Sequence, residues 1–222
     1  MATARNPRLL IGIVAAVLVL AVGGYFLHGL KKTRDLQSSA GAGVADATER
    51  LRGALALEPG ADEAARLDAD AAAINPSLAR LRAEDESRNK VLADAAELYL
   101  VDVQAILKNA ATAARAGAAW EADRKALAAH LDRAAARGPG WIDRALALKQ
   151  KAEKDCFDYR NALGTVADLL QAHQDTQATL RAAWAAAPMI ADEERKAGRK
   201  LAQQAADRAG QALGELRQLP MS

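Results

Sequence analysis

The sequence predicts an all-α protein: an N-terminal single transmembrane helix followed by an elongated antiparallel helical bundle, or coiled-coil hairpin. Three observations predict it. One 22-residue run, Leu9–Leu30 (LLIGIVAAVLVLAVGGYFLHGL), is apolar almost throughout and has no acidic, Lys or Arg side chain, His28 being its single basic one. Beyond it Ala, Leu, Arg, Glu, Lys and Gln dominate, 57 of the 222 residues are alanine, and no alternating Val/Ile/Thr/aromatic run marks a strand. After Gly140 a seam of alternating three- and four-residue spacing runs over 14 positions, 11 of them apolar.

The chain begins with a tail, residues 1–8, that carries Arg5 and Arg8. Residues 9–30 follow as the membrane helix: at ~1.5 Å per residue they reach ~33 Å, enough for a hydrocarbon core of ~30 Å. A cleaved signal peptide would have a shorter apolar region and a small-x-small cleavage site. Here the run continues into Tyr25-Phe26-Leu27-His28, which suits an interfacial belt and an uncleaved anchor. Its flanking positive charges nearly tie, Arg5 and Arg8 against Lys31, Lys32 and Arg34. A short tail before a signal-anchor helix stays inside, so the expected location is a bacterial-type inner membrane with the C-terminal body on the periplasmic side. Gly12 and Ala16 form a small-xxx-small pair of the kind that lets two such helices pack closely.

Residues 31–44 read as a linker because their Ser/Gly/Ala centre offers little to pack. The remainder, 45–222, is expected to be an all-helical domain. Its short helices are placed at 45–57, with Val44, Ala47, Leu51 and Leu55 on one side, and at 62–74, capped by Asp62. The phrases LALEPGADEA and AAINPSLA are similar to turns of tetratricopeptide repeats, which have a period of ~34 residues. Pro59 and Pro76 are only 17 apart and the pattern does not recur, so both are taken as helix–turn–helix punctuation.

Three long helices complete the expected domain, at 78–137, 141–187 and 190–219. The first is capped by Ser77 and carries the stripe Leu92, Ala96, Tyr99, Val103, Ile106, Leu107. Its early EDESRNK segment is polar on every side and reads as a solvated face, because neighbouring carboxylates point in different directions and cannot cage a cation. Gly138-Pro139-Gly140 reverses the chain. The second holds the regular seam from Ile142 through Cys156, Tyr159, Leu163, Leu170, His173 and Gln177 to Ala187. Pro188 ends it, the last helix folds back as a third member, and the short helices cap one end. Trp120, Trp141, Trp184, Tyr99, Tyr159 and Phe157 are the expected packing residues, since alanine seams bury little area each.

All 28 acidic residues lie at or after Asp35 while five of the 30 basic ones precede it, so the body has 25 basic against 28 acidic residues, a net −3. A nucleic-acid-binding body needs a basic face, so no nucleic acid is expected. No catalytic, cofactor-binding or metal-binding residues are assigned, and no enzyme activity is expected. His130 and His173 lack His or Cys partners at helical spacing, which zinc requires. Cys156 sits between Asp155 and Asp158, which disfavour a thiolate; a buried small hydrophobe is expected, with a disulfide across a parallel dimer seam as the alternative. There is no glycine-rich phosphate loop.

The expected function is therefore a membrane-anchored helical scaffold or adaptor that mediates protein–protein interaction in the cell envelope. It would use its helical faces, with a partner protein or as a homo-oligomer. Two alternatives accompany it. Chemoreceptor ligand-sensing bundles resemble the chain in being helical and membrane-tethered, which implies a small ligand between helices. An envelope-spanning spacer of a phage or secretion system would use the rod-like seam instead.

Overall fold

The computed structural model describes residues 37–38, 40–83, 90–132 and 138–220. These are helical almost throughout, and no strand occurs among them. In chain order the helices are α1 (residues 40–54), α2 (Ala61–Ala73), α3 (Asn75–Ala83), α4 (Lys90–Asp132), α5 (Trp141–Ala183) and α6 (Asp192–Gln218). No helix among the described residues is long and apolar enough to cross a membrane. The expected anchor at 9–30, the tail at 1–8 and residues 31–36 lie outside them.

α4 and α5 are 43 residues each, ~64 Å long, and pair antiparallel. His130 stacks on Trp141 at the turn end, Trp120 on Tyr159 in the middle, and Asp102 meets His173 further along. The reversal is made where the glycines predict it, with Gly140 in the left-handed region at φ 79. There only glycine escapes the Cβ–carbonyl clash. α5 turns all its seam positions from Ala145 to Leu180 inward except Lys149. α6 returns antiparallel to α5: Lys149 Nζ reaches the Leu219 carbonyl, Cys156 the Ala209 carbonyl and Arg195 the Leu170 carbonyl. The first turn of α6 carries Asp192, Glu193 and Glu194, which suits the positive end of a helix dipole.

α4 and α6 are diagonal across α5 and pack little against each other directly. The space between them is taken by α1. Thr48 reaches Tyr99 of α4, while Arg52 pairs with Glu194 and Leu55 presses on Gly198 of α6. The fourth member of the bundle is thus the short first helix, laid along the side instead of capping an end, the place its length alone suggests. Val44, Ala47 and Leu51 are fully buried there, so α1 contributes a complete hydrophobic face. α2 and α3 then run antiparallel to α4 on its outside, fixed by Gln104 to the Ala71 carbonyl and by Arg82 to Glu97.

Several expected boundaries change for physical reasons. The single helix expected over 78–137 is two helices. Arg82 Nε lies 2.7 Å from Glu97 Oε1, whereas 15 residues of one helix would separate them by ~22 Å, so the chain reverses between 83 and 90. Residues 84–89 and 133–137 lie outside the described set. Residues 40–44, expected in the linker, are helical; Gly41 is pressed against Trp184 and Gly43 against Ser77, where a Cβ would sit 3.0 and 2.9 Å from those side chains. Small residues here make close contacts instead of a loose chain. Gly60, not Asp62, precedes α2, and its N–H donates to the Ala114 carbonyl. Ser77 falls inside α3 and caps nothing. α5 ends at Ala183, short of 187: Pro188 has no N–H for the carbonyl of Trp184 and its ring would clash there, and Trp184 is already extended. Phe157 is 43% exposed rather than packed, since it is turned ~130° from the middle of the Cys156–Tyr159 face.

Candidate functional site

The bundle divides into an α1 half, where four helices meet, and a turn half near Gly140, where three do. The α1 half contains a layer of buried polar side chains inside an otherwise apolar core of leucines, isoleucines, Tyr99 and alanines. Thr48 Oγ1 donates to the Pro188 carbonyl at 2.8 Å, so the Tyr99 hydroxyl, 2.7 Å away, donates to Thr48. This relay of two hydroxyls fixes the connection between α5 and α6. Burial pushes the Tyr99 phenol above its ordinary range, which keeps it a donor. Beside it, His173 is fully buried with its ring 5.0 Å from that of Tyr99, and its Nδ1 lies 2.5 Å from Asp102 Oδ2. Gln177 donates to the Ile190 carbonyl.

Arg195 is the least expected member. It is 1% exposed, with Nη1 on the Leu170 carbonyl and Nη2 on Gln174, while the nearest carboxylate, of Asp192, is 3.8 Å away. His173 Nε2, Gln177 Oε1 and Arg195 Nε have no hydrogen-bond partner among the described residues. A buried guanidinium with one long ion pair, to a half-exposed carboxylate, is costly. These bonds tie α6 and its connection to one register against α5, which an alanine-rich interface specifies weakly on its own.

The turn half carries a different polar group. Asp123, 6% exposed on α4, takes Lys151 Nζ at 2.6 and 2.8 Å on its two oxygens. Asp155 of α5 hydrogen-bonds to the same carboxylate. Burial first, then the hydrogen bond and charge of Asp123, raise the carboxyl of Asp155 above its usual range. Burial opposes ionisation of Asp123 too, but the bonds from Asp155 and Lys151 outweigh it and hold that carboxyl low. The two carboxyls are thus driven apart, Asp155 above and Asp123 below the ordinary range. The core below is made of small side chains, Ala113, Cys156, Ala206 and Ala209 around Tyr159, Leu163 and Leu213.

α1 leaves the corner between α4 and α6 at Leu57, whose φ of 52 turns the chain outward. Past that point the corner stays open as a groove of about 260 Å³ lined by Trp120 and Arg124 of α4 and by Ala212, Glu215, Leu216 and Leu219 of α6. The Arg124 guanidinium lies 5.6 Å from the centre of the Trp120 ring. A second unpartnered surface lies on α4 in the α1 half. Val91, 72% exposed, Leu98 and Val101 share one face at spacings of seven and three.

The residues weighed for chemistry in the sequence are dispersed. His130 Nε2 lies 3.0 Å from the Trp141 carbonyl and clasps the hairpin, far along α4 from the partner of His173. Cys156 is fully buried against α6 of its own chain, its thiol raised by that burial, so a disulfide to another chain would require α6 to lift away. No cluster of three or more metal-ligating side chains occurs among the described residues. Asp123, Asp155 and Arg195 stand in ordinary charged helical runs, and Asp102 is a lone acid in the apolar run LYLVDVQAIL, so nothing local marks their partners. Only the tertiary fold brings them inward. No protein-family model, no curated protein and no solved structure matches the chain.

Proposed function

We propose that the chain is a membrane-anchored helical scaffold or adaptor of the cell envelope, its body held on the outer side and engaging another protein through helical faces. The tether rests on the apolar length of Leu9–Leu30. The single observation that supports the interaction is the set Val91, Leu98 and Val101, three exposed apolar side chains on one face of α4 in a bundle whose other large aliphatic side chains are mostly buried. Apolar surface of that kind marks contact sites. The near-neutral body, at −3, argues against nucleic acid as the partner.

The test uses full-length protein in bacterial cells with a photo-reactive amino acid at Leu98 and, as a control, at the exposed Asp175. The expected result is retention in membranes after alkaline carbonate, loss of the body to external protease once the outer membrane is opened, and a discrete adduct from position 98 alone. Release by carbonate would remove the anchor from the proposal, and equal adducts from both positions would remove the interaction face.

A further inference from the structure

We propose that the open corner of the turn half seats an amphipathic helix supplied by another protein, which completes the four-helix bundle in trans. The shape of the required partner is given by this chain itself. In the α1 half the same corner, between the same two helices, is filled by α1 through Val44, Ala47 and Leu51, with Leu55 against Gly198. α1 is then turned out at Leu57, and the Gly60 N–H is anchored on the Ala114 carbonyl, so the chain cannot continue down the corner. α4 and α6 do continue, from about Gly117 to Asp132 and from Ala205 to Gln218. Between them the groove is lined from Trp120 to Arg124 and from Ala212 to Leu219, an open seat of ~11 Å, about two helical turns. Its lining is apolar at Trp120, Ala212, Leu216 and Leu219 and opposite in charge on its two walls, with Arg124 on α4 and Glu215 on α6.

The occupant is therefore a helix whose seam is alanine and leucine at three- and four-residue spacing, with an acid toward α4 and a base toward α6. A second copy of this chain fits less well, because each helix among the described residues is already seated in its own bundle. The seat is continuous with the α1 interface and separate from the exposed set Val91, Leu98 and Val101. It deepens the adaptor reading, on which it rests, by naming the class of partner.

The chain has three tryptophans, so a full-length protein labelled with 5-fluorotryptophan gives three fluorine resonances, and the one lost in Trp120→Phe reports the groove. The probe is a synthetic helical peptide of about 16 residues. It carries the alanine–leucine seam and the stated charges; its control has the seam leucines replaced by serine. The expected result is a saturable shift of the Trp120 resonance with those of Trp141 and Trp184 unmoved. Arg124→Glu should weaken the peptide about tenfold, with recovery when the peptide's acid is exchanged for lysine. Absence of a shift, an equal response to the control peptide, or no recovery on charge exchange would overturn the proposal. So would a Trp120 shift that grows with protein concentration alone, which would assign the seat to a second copy. A failure here would leave membrane retention and the Leu98 adduct unaffected, so the two readings fail separately.

Discussion

The α1 half and the turn half are built on the same three helices but fill the space between them differently. In the α1 half a fourth helix contributes Val44, Ala47 and Leu51, and the core is closed by Tyr99, Leu100, Ile106, Leu107 and Leu170 around a hydrogen-bonded polar layer. In the turn half the floor is Ala113, Cys156, Ala206 and Ala209, and Trp120 and Leu216 cover it only in part. A regular seam such as that of α5 can thus run through both a closed and an open environment. Seam regularity fixes which face points inward; the number of helices that meet there fixes how firmly it is held. The α1 half is expected to behave as the rigid body of the molecule, with the turn half its deformable end.

The sharpest way to break that comparison is a matched pair of truncations. Leu51→Ala should cost about 3–4 kcal/mol, because the surrounding four helices cannot collapse into the space. Leu213→Ala should cost about 2 kcal/mol, since its neighbours border an open groove and can relax. Urea unfolding measures both, and equal costs would show that the two halves are equally firm. Next in size is Asp102→Ala. It leaves His173 buried with neither ring nitrogen paired and should cost about 2 kcal/mol, read from the same unfolding curves. A loss near zero would mean that the polar layer contributes register without stability.

The smallest effect lies in the turn half and depends on pH. The carboxyl of Asp155 is held above the ordinary range in the fold, so its protonated form stabilises the protein below the unfolded value. That contribution disappears as pH rises through the folded value. Asparagine keeps a donor toward Asp123 and never ionises. Asp155→Asn should therefore raise the urea midpoint at pH 7, and the gain should vanish in the acid range where Asp155 is protonated anyway. A lower midpoint at pH 7 would mean that Lys151 and Lys154 use the ionised form of Asp155.

Much of this architecture is legible in the sequence, and the exceptions share a cause. The α5 seam and the turn at Gly138–Gly140 are written in local spacing and in glycine's access to positive φ. The reversal between α3 and α4 is not, because EDESRNK contains neither Gly nor Pro and consists largely of residues that favour helix or tolerate it. Gly41 and Gly43 read as slack and instead permit close packing, a distinction that only the neighbouring Trp184 and Ser77 supply. His173 and Gln177 could be placed on the seam from their spacing, whereas Arg195 lies in the charged run EERKAGRK, where nothing local marks it for burial. The open corner was likewise invisible. It exists because α1 is shorter than its neighbours, and length mismatch between elements has no sequence signature until their partners are known.

The Thr48–Pro188 bond joins residues 140 apart in the chain. During synthesis α1 emerges early, yet the surface that covers it is incomplete until the connection after α5 and the first turns of α6 have left the ribosome. The α4–α5 hairpin, closed by a local turn, can form well before then. For that interval Val44, Ala47 and Leu51 are an uncovered apolar face on a nascent chain, a state prone to wrong association. Maturation of the fold is then a late clasping of its first helix by its last, and a chain interrupted before residue 188 would remain unclasped and open to chaperones and proteases.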